Sequence, residues 1–337
     1  MNDICLDSKE LKGQLLDTHG RRIDYVRLSV TDKCNLRCFY CLPKGFRGFE
    51  EPGHWLSYEE IERVIRAFAV LGVHRVRLTG GEPLVRKHLA DLVRCLSVLP
   101  GIDDLSLSTN ATLLARDALG LKDAGISRIN VSLDTLRAER FTQITGGQLE
   151  PVIEGLMAAK AAGFAPIKIN MVAMQGINDD EFEDMVEFCL EHGFTLRFIE
   201  PMPMGSTGRE AADHYIDLQL VKKNLSKRFE LIPGMVPGGG PARYVQVKGS
   251  NLCIGFITPI SQHFCETCNR VRLSVDGTLY LCLGKDHSYP LRPLLRQGIS
   301  DDGLRAAILE ALEKKPAHHN FQDPAEQVLR FMSMTGG

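Results

Sequence analysis

Six of the ten cysteines fall into two sets of three. The first set is Cys34-Asn-Leu-Arg-Cys38-Phe-Tyr-Cys41, three thiols within eight residues. The second is Cys265-Glu-Thr-Cys268 followed, after thirteen intervening residues, by Cys282. Thiols this close in sequence can converge on one metal centre. Structural zinc normally takes four ligands in a closed tetrahedron. No fourth cysteine or histidine lies near the first trio, the nearest being His54, thirteen residues beyond Cys41. Three ligands suit a 4Fe–4S cluster that keeps one iron free of protein. For the second trio, zinc with a borrowed His263 or His287 stands against an auxiliary 4Fe–4S cluster. An incomplete set in a chain that already holds one cluster favours the cluster, whose open iron would be available to a substrate.

Other residue types add to this chemistry. Thr79-Gly80-Gly81-Glu82-Pro83 pairs two glycines at a strand end, where a backbone can approach a ligand closely or simply turn. Arg27, Arg77, Lys168 and Arg197 sit on the first, second, fifth and sixth of six short β-rich runs, and Arg270 and Arg272 directly follow the second CxxC. A lone surface arginine commonly contributes nothing measurable. Six cations converging on one mouth call for a polyanion, and arginine grips phosphate in bidentate fashion. A nucleoside triphosphate is the implied substrate. The chain contains no Walker A sequence, so side chains would hold the phosphates.

These residues need a scaffold. Six short β-rich runs, 25–31, 75–79, 105–109, 129–134, 167–173 and 195–200, alternate with helical patterns. Ser57 and Glu60 form a capping box before a helix whose apolar face is Ile61, Val64, Ile65, Phe68 and Leu71, closed by Gly72. Further helices are expected over 86–98, 113–124, 151–162 and 180–191. Alternating strands and helices imply βαβ units and a parallel sheet. Six units are fewer than the eight of a closed barrel, so the expected fold is an α/β partial (β/α)6 barrel, although a doubly wound sheet fits the same pattern. Function would gather at the carboxyl ends of the strands. The core is placed at residues 1–202. A smaller C-terminal region, 203–337, begins with a loop at 233–241, continues in short strands near 244–247, 252–257, 272–275 and 279–282, and ends with a helix over 302–314.

Composition narrows the classes. Of 337 residues, 44% are hydrophobic and 24% charged, with net charge −2, which gives no global attraction to nucleic acid or membrane. Residues 1–17 lack the apolar run of a secretory signal, and nothing approaches the length of a membrane span. A cytoplasmic protein with reduced thiols is expected. The isolated Cys95, Cys189 and Cys253 read as small buried hydrophobes, and Cys5 as part of a mobile terminus.

The three-then-two spacing of the first trio, with Tyr40 before its last cysteine, is the signature of the radical S-adenosylmethionine (SAM) superfamily. More specifically, RLSVTDKCNLRCFYC, RLTGGEP, STN, INVSLD, KIN, RFIE, FCETCNRVRLS and the terminal Gly336-Gly337 occur in the order found in the GTP 3′,8-cyclase family of molybdenum-cofactor biosynthesis. The chain resembles that family from about residue 20 to the end. The resemblance implies that Cys34, Cys38 and Cys41 hold one 4Fe–4S cluster and Cys265, Cys268 and Cys282 a second. Tyr40, Gly80, Gly81, Glu82, Ser132 and Met202, with Asp134 on the same side, would contact SAM. Arg27, Arg77, Ser108, Lys168, Arg197, Arg270 and Arg272 would contact GTP, with Arg270, Arg272, Gly336 and Gly337 acting at the catalytic centre. The implied chemistry is reductive cleavage of SAM, hydrogen abstraction from ribose C3′, attack on guanine C8 and a second reduction to 3′,8-cyclo-7,8-dihydro-GTP. It further implies an electron donor and handover to a cyclic pyranopterin monophosphate synthase; a homodimer stays open. Two rivals remain: a peptide-modifying radical enzyme, which needs no triphosphate cradle, and a zinc-stapled binding protein, which would be colourless.

Overall fold

The computed structural model describes residues 14–236, 238–321, 323 and 328–336. Cys5 and Gly337 therefore lie outside the described residues. The six expected strands are present as β1 (Tyr25–Ser29), β2 (Arg75–Thr79), β3 (Asp104–Thr109), β4 (Arg128–Ser132), β5 (Ile167–Val172) and β6 (Thr195–Ile199). Between them run α1 (Tyr58–Val70), α2 (Leu89–Ser97), α3 (Leu114–Ala124), α4 (Ala138–Thr145), α5 (Glu150–Ala161) and α6 (Phe182–His192). The Ser57–Glu60 capping box forms in both directions. The second helix starts later than its sequence suggests. Pro83–Val85 is a 3₁₀ turn, and the Arg86 guanidinium donates to the carbonyls of Val30 and Leu56.

Beyond β6 come α7 (Gly205–Ala212), α8 (Leu218–Leu225), β7 (Leu231–Pro233), β8 (Arg243–Val247), β9 (Cys253–Ile257), β10 (Arg270–Leu273), β11 (Thr278–Tyr280), β12 (Ser288–Pro290), α9 (Arg292–Arg296), α10 (Asp301–Glu313) and α11 (Met332–Thr335). The sheet order is β12-β11-β10-β1-β2-β3-β4-β5-β6-β9-β8-β7. β10 pairs in parallel with β1 and β9 in parallel with β6. The six-stranded arc is thus extended at both edges by strands from the C-terminal part of the chain. Its two ends, β12 and β7, do not meet, so the barrel is open.

The strands alternate strictly between faces. Val26, Leu28, Val76, Leu78, Leu107, Ile129, Val131, Ile169, Leu196 and Phe198 point one way and join the helices in one buried core. Each such side chain contributes roughly 2 kcal/mol by leaving water. The alternate positions, Arg27, Arg77, Ser108, Asn130, Ser132, Lys168, Asn170, Arg197 and Arg272, form the concave face. A polar lining on this face is what distinguishes the sheet from an ordinary parallel core, whose strands are apolar on both sides.

Among the isolated cysteines, Cys189 is buried on α6 and Cys253 is half-buried on β9. Cys95 departs from its expected burial. The inward face of α2 is Leu89, Leu92, Val93 and Leu96, which leaves Cys95 on the solvent side.

Candidate active site

The first trio lies on the loop after β1, and its three thiols line one cavity with Tyr40, Gly80, Gly81, Ser108, Asn110, Ser132 and Met202. The loop is fixed by the next strand end. Gly81 N–H donates to Thr31 O at 2.8 Å, and Glu82 N–H donates to Lys33 O at 2.8 Å. A Cβ on Gly80 would sit 2.3 Å from Thr31 O, and one on Gly81 2.4 Å from Lys33 O. The room that glycine provides here is therefore filled by the cysteine loop itself as well as opening onto the cavity. Glu82 departs further from the expected ligand contact. Its carboxylate is fully buried and accepts from Leu84 N, Thr109 Oγ1 at 2.8 Å and Asn110 N at 2.7 Å. It ties the β2 end to the β3 end. Asp134 similarly holds Tyr40, whose hydroxyl donates to Oδ2 at 2.6 Å, and the Val172 amide, which donates to Oδ1 at 2.8 Å. Burial raises Asp134 to about 6 and Glu82 to about 7.

The second trio lines a neighbouring cavity with Arg21, Arg27, Arg77, Arg197, Arg270, Arg272, Lys315 and His319. Asn170, Ile199, Met202 and Met332 line both cavities, so the two are neighbours that share these residues as a common wall. Glu200 positions the loop leading into the second trio: its carboxylate accepts from Ile260 N at 2.8 Å, Ser261 N at 3.1 Å and Ser261 Oγ at 2.5 Å. Burial pushes the thiols of Cys34, Cys38 and Cys41 up, Cys41 to about 12. Cys268 differs: burial raises it too, but the Lys315 ammonium and Arg270 bring it below its ordinary value. Three free thiols facing one cavity fit a cluster with an open iron at the first trio and fit a closed zinc tetrahedron poorly. At the second trio His263 and His319 join Cys265 in a group whose ligand atoms lie within 4.8 Å of one another, so zinc with borrowed histidines keeps a geometric basis there beside the auxiliary cluster, with His319 and not His287 as the second histidine.

Five of the six cations expected to converge, Arg27, Arg77, Arg197, Arg270 and Arg272, line the second trio's cavity, and the sixth, Lys168, lines a neighbouring opening on the same face. Arg27, Arg77, Arg197 and Arg272 stand mid-strand, because alternation turns them onto the concave face and register stacks Arg272 beside Arg27 and Arg27 beside Arg77. Arg77, Arg128, Lys168 and Arg197 extend this layer to a second opening lined also by residues 234–236 and 238–240. The nearby acids, Asp24 and Asp104, are taken by Arg75 and Arg128. Arg27, Arg197 and Arg270 each leave a buried Nε without a partner among the described residues. Burial, then the neighbouring Arg197, Arg128 and Arg77, bring Lys168 down to about 7. Ser108 does not join this layer. It lines the first trio's cavity, with its buried Oγ unpartnered among the described residues.

The C-terminal segment enters the same space. Arg330 donates to the carbonyls of Cys282, Leu283 and Lys285, and the Phe331 ring meets Phe46 at 5.2 Å. Gly336 has φ +71°, and a Cβ there would lie 1.8 Å from Thr79 Oγ1.

A model of the radical SAM superfamily matches residues 28–189, and one described as molybdenum cofactor synthesis C matches residues 194–321. The chain is 49% identical to GTP 3′,8-cyclase 1 of Pseudomonas aeruginosa, over 96% of this chain and 99% of the relative. It is 45% identical to GTP 3′,8-cyclase of Hydrogenovibrio crunogenus, with the same coverages. The chain belongs to the GTP 3′,8-cyclase family. Membership in the radical SAM superfamily implies a 4Fe–4S cluster and SAM. A crystal structure of Streptococcus suis SuiB bound to S-adenosylmethionine shares the fold, with a TM-score of 0.64 at 15% identity, covering 94% of this chain and 78% of that one.

Within this GTP 3′,8-cyclase family member, sequence reading missed several residues of the site. Asn170, Arg21, Lys315 and His319 line the cavities, and Arg128 lines the floor. Asn170 and Arg128 were accessible through strand alternation, being two residues from Lys168 and Asn130 respectively. Arg21, Lys315 and His319 come from segments without any motif, and only tertiary packing brings them in. Among the described residues, no helix is long and apolar enough to cross a membrane.

Proposed function

We propose that the chain converts GTP to 3′,8-cyclo-7,8-dihydro-GTP, the first step of molybdenum-cofactor biosynthesis. The observation that carries this reading is the layer of buried arginines lining the second trio's cavity, with the nearby Asp24 and Asp104 already committed to Arg75 and Arg128. Buried cations left without acids are costly. A triphosphate would satisfy them, and the adjoining cavities would place the rest of the nucleotide toward the first trio.

Cys34, Cys38 and Cys41 would hold the first 4Fe–4S cluster, with SAM against Tyr40, Gly81, Ser132 and Met202. Cys265, Cys268 and Cys282 would hold the second. Together, a reduced cluster and SAM supply one-electron hydrogen abstraction. The chain's own residues bind and orient. Arg27, Arg77, Lys168, Arg197, Arg270 and Arg272 grip the phosphates and the nucleotide, while Asn170 and Met202 separate the two reactants' spaces. The tail at Gly336 closes the cavity against water and stray hydrogen donors. An external electron donor, product transfer to a cyclic pyranopterin monophosphate synthase and a cytoplasmic setting that keeps the thiols reduced complete the reading.

The test is anaerobic turnover of reconstituted protein with GTP, SAM and a strong reductant, read as 5′-deoxyadenosine and cyclised nucleotide. Cys34→Ala should abolish both products. Formation of 5′-deoxyadenosine with no cyclised nucleotide would reject GTP as substrate, and sulfide-free protein would reject the clusters.

A further inference from the structure

The two trios sit in different electrostatic surroundings. Around the first, the sulfur of Cys34 receives neutral donors, Leu36 N at 3.4 Å and Asn110 Nδ2 at 3.8 Å. Among the described residues the cation acting on Cys34 is Arg37, which is bonded to the carbonyls of Cys34 and Leu36. The buried carboxylates of Glu82 and Asp134 offset it. Around the second, Lys315 is 2% exposed and points its ammonium at Cys268 Sγ, 3.7 Å away. The same ammonium donates to the carbonyls of Arg270, at 3.0 Å, and Leu281. His319 Nδ1 lies 3.2 Å from Cys265 Sγ. Asp17 neutralises the nearby Arg21, but Arg270 and Arg272 add further positive charge to the cavity.

A cluster-bound thiolate has no proton to give, so the Nδ1–H tautomer of His319 would donate to Cys265 Sγ and tune that ligand. His263 belongs to the same group, with its ligand atom and those of Cys265 and His319 within 4.8 Å of one another, so zinc on these three is the competing occupant. Reduction adds negative charge to a cluster, so hydrogen bonds to its sulfurs and nearby cations raise its potential.

We propose that Lys315, with His319, holds the second cluster at a higher reduction potential than the first in the GTP-free chain, so that electrons entering the protein rest at the substrate-side centre. Lys315 and His319 are positioning residues in this sense, acting through Cys268 and Cys265. The inference rests on both trios holding clusters, as proposed above.

The experiment is an EPR-monitored redox titration of the anaerobically reconstituted full chain, with iron and sulfide counted, for wild type, Lys315→Met and His319→Leu. In wild type the second cluster should titrate above the first, assigned with a Cys34→Ala/Cys38→Ala/Cys41→Ala variant that holds the second alone. In Lys315→Met the second potential should fall by at least about 59 mV, a tenfold change in the one-electron equilibrium, with the first unmoved; Lys315→Arg should restore part of the shift. A residue acting only as a staple between Arg270 and Leu281 would lower thermal stability and leave the potential in place. Full cluster content with an unmoved second potential, or a wild-type second cluster below the first, overturns the proposal. If Lys315→Met cannot retain its cluster, His319→Leu is judged by the same fall. A wild-type second trio that contains zinc and no sulfide overturns the cluster reading itself, and this inference with it.

Discussion

The guanidinium of Arg272 donates from Nη1 to the carbonyl oxygen of Gly336. One residue belongs to the buried cation layer on β10, the other to the end of the chain. The tail thus supplies a backbone acceptor to a cation that otherwise faces the cavity, and it sits where a bound anion would compete for the same donor.

Gly336→Ala is expected to dislodge the tail without disturbing the barrel. The left-handed φ of +71° costs a non-glycine residue about 1–2 kcal/mol, and the added Cβ would meet Thr79 Oγ1 at 1.8 Å. Turnover should fall roughly tenfold or more, by the scale on which each 1.4 kcal/mol is tenfold. Iron content and thermal stability should remain near wild type. Undiminished turnover would remove the tail from the catalytic arrangement.

Lys168 provides a pH signature for triphosphate binding. Its pKa is about 7 in the empty cavity, and a polyanion beside it would raise that value. Binding should therefore take up a proton above neutrality. Affinity should be greatest below pH 7 and decline as pH rises from 7 toward the higher bound-state pKa. Calorimetry in buffers of different ionisation enthalpy reads the uptake, and Lys168→Met should abolish it. Equal uptake in the variant would assign the proton to another group.

Glu82 has the opposite sign from an ordinary ion-paired acid. Burial raises it from 4.5 to about 7 against the pull of its three hydrogen-bond donors. The folded chain then binds the proton more tightly than the unfolded chain does, so this group's contribution is lost as pH rises from about 4.5 to 7. Denaturation of cluster-free protein should show wild type losing stability relative to Glu82→Gln across that window. A difference that stays flat with pH would place the carboxyl at its ordinary value.

Glu200→Ala should separate the two centres. The carboxylate of Glu200 holds Ile260 and Ser261, ahead of Cys265, to the end of β6. Its loss leaves two backbone donors unsatisfied, at roughly 1–3 kcal/mol each. Iron and sulfide should drop at the second trio while SAM cleavage at the first persists. Retention of both clusters would show that the loop is held from elsewhere.

Substituting Arg270 or Arg272 by Ala should weaken GTP binding about tenfold to a hundredfold, the range of a charge-assisted hydrogen bond of about 1.5–3 kcal/mol, with both clusters intact. Equilibrium dialysis of labelled GTP checks it. Unchanged affinity would remove the phosphate role from these side chains.

The sequence alone determined the two candidate cysteine trios and most of the scaffold, because spacing and periodicity are read along the chain. Cys34, Cys38 and Cys41 are neighbours on one loop, and strand alternation by itself puts Arg27, Arg77, Lys168 and Arg197 on one face. Capping at Ser57 and the break at Gly72 are also encoded within a few residues. Tertiary structure alone decided what depends on register between distant segments. It set β10 beside β1 and β9 beside β6, which brought the second trio against the cation layer. It committed Glu82 to holding two strand ends together and carried Lys315 and His319 into a site that no local pattern links them to. The physical reason is that a side chain's facing follows from its own strand, whereas its partners follow from how the strands and the returning tail pack.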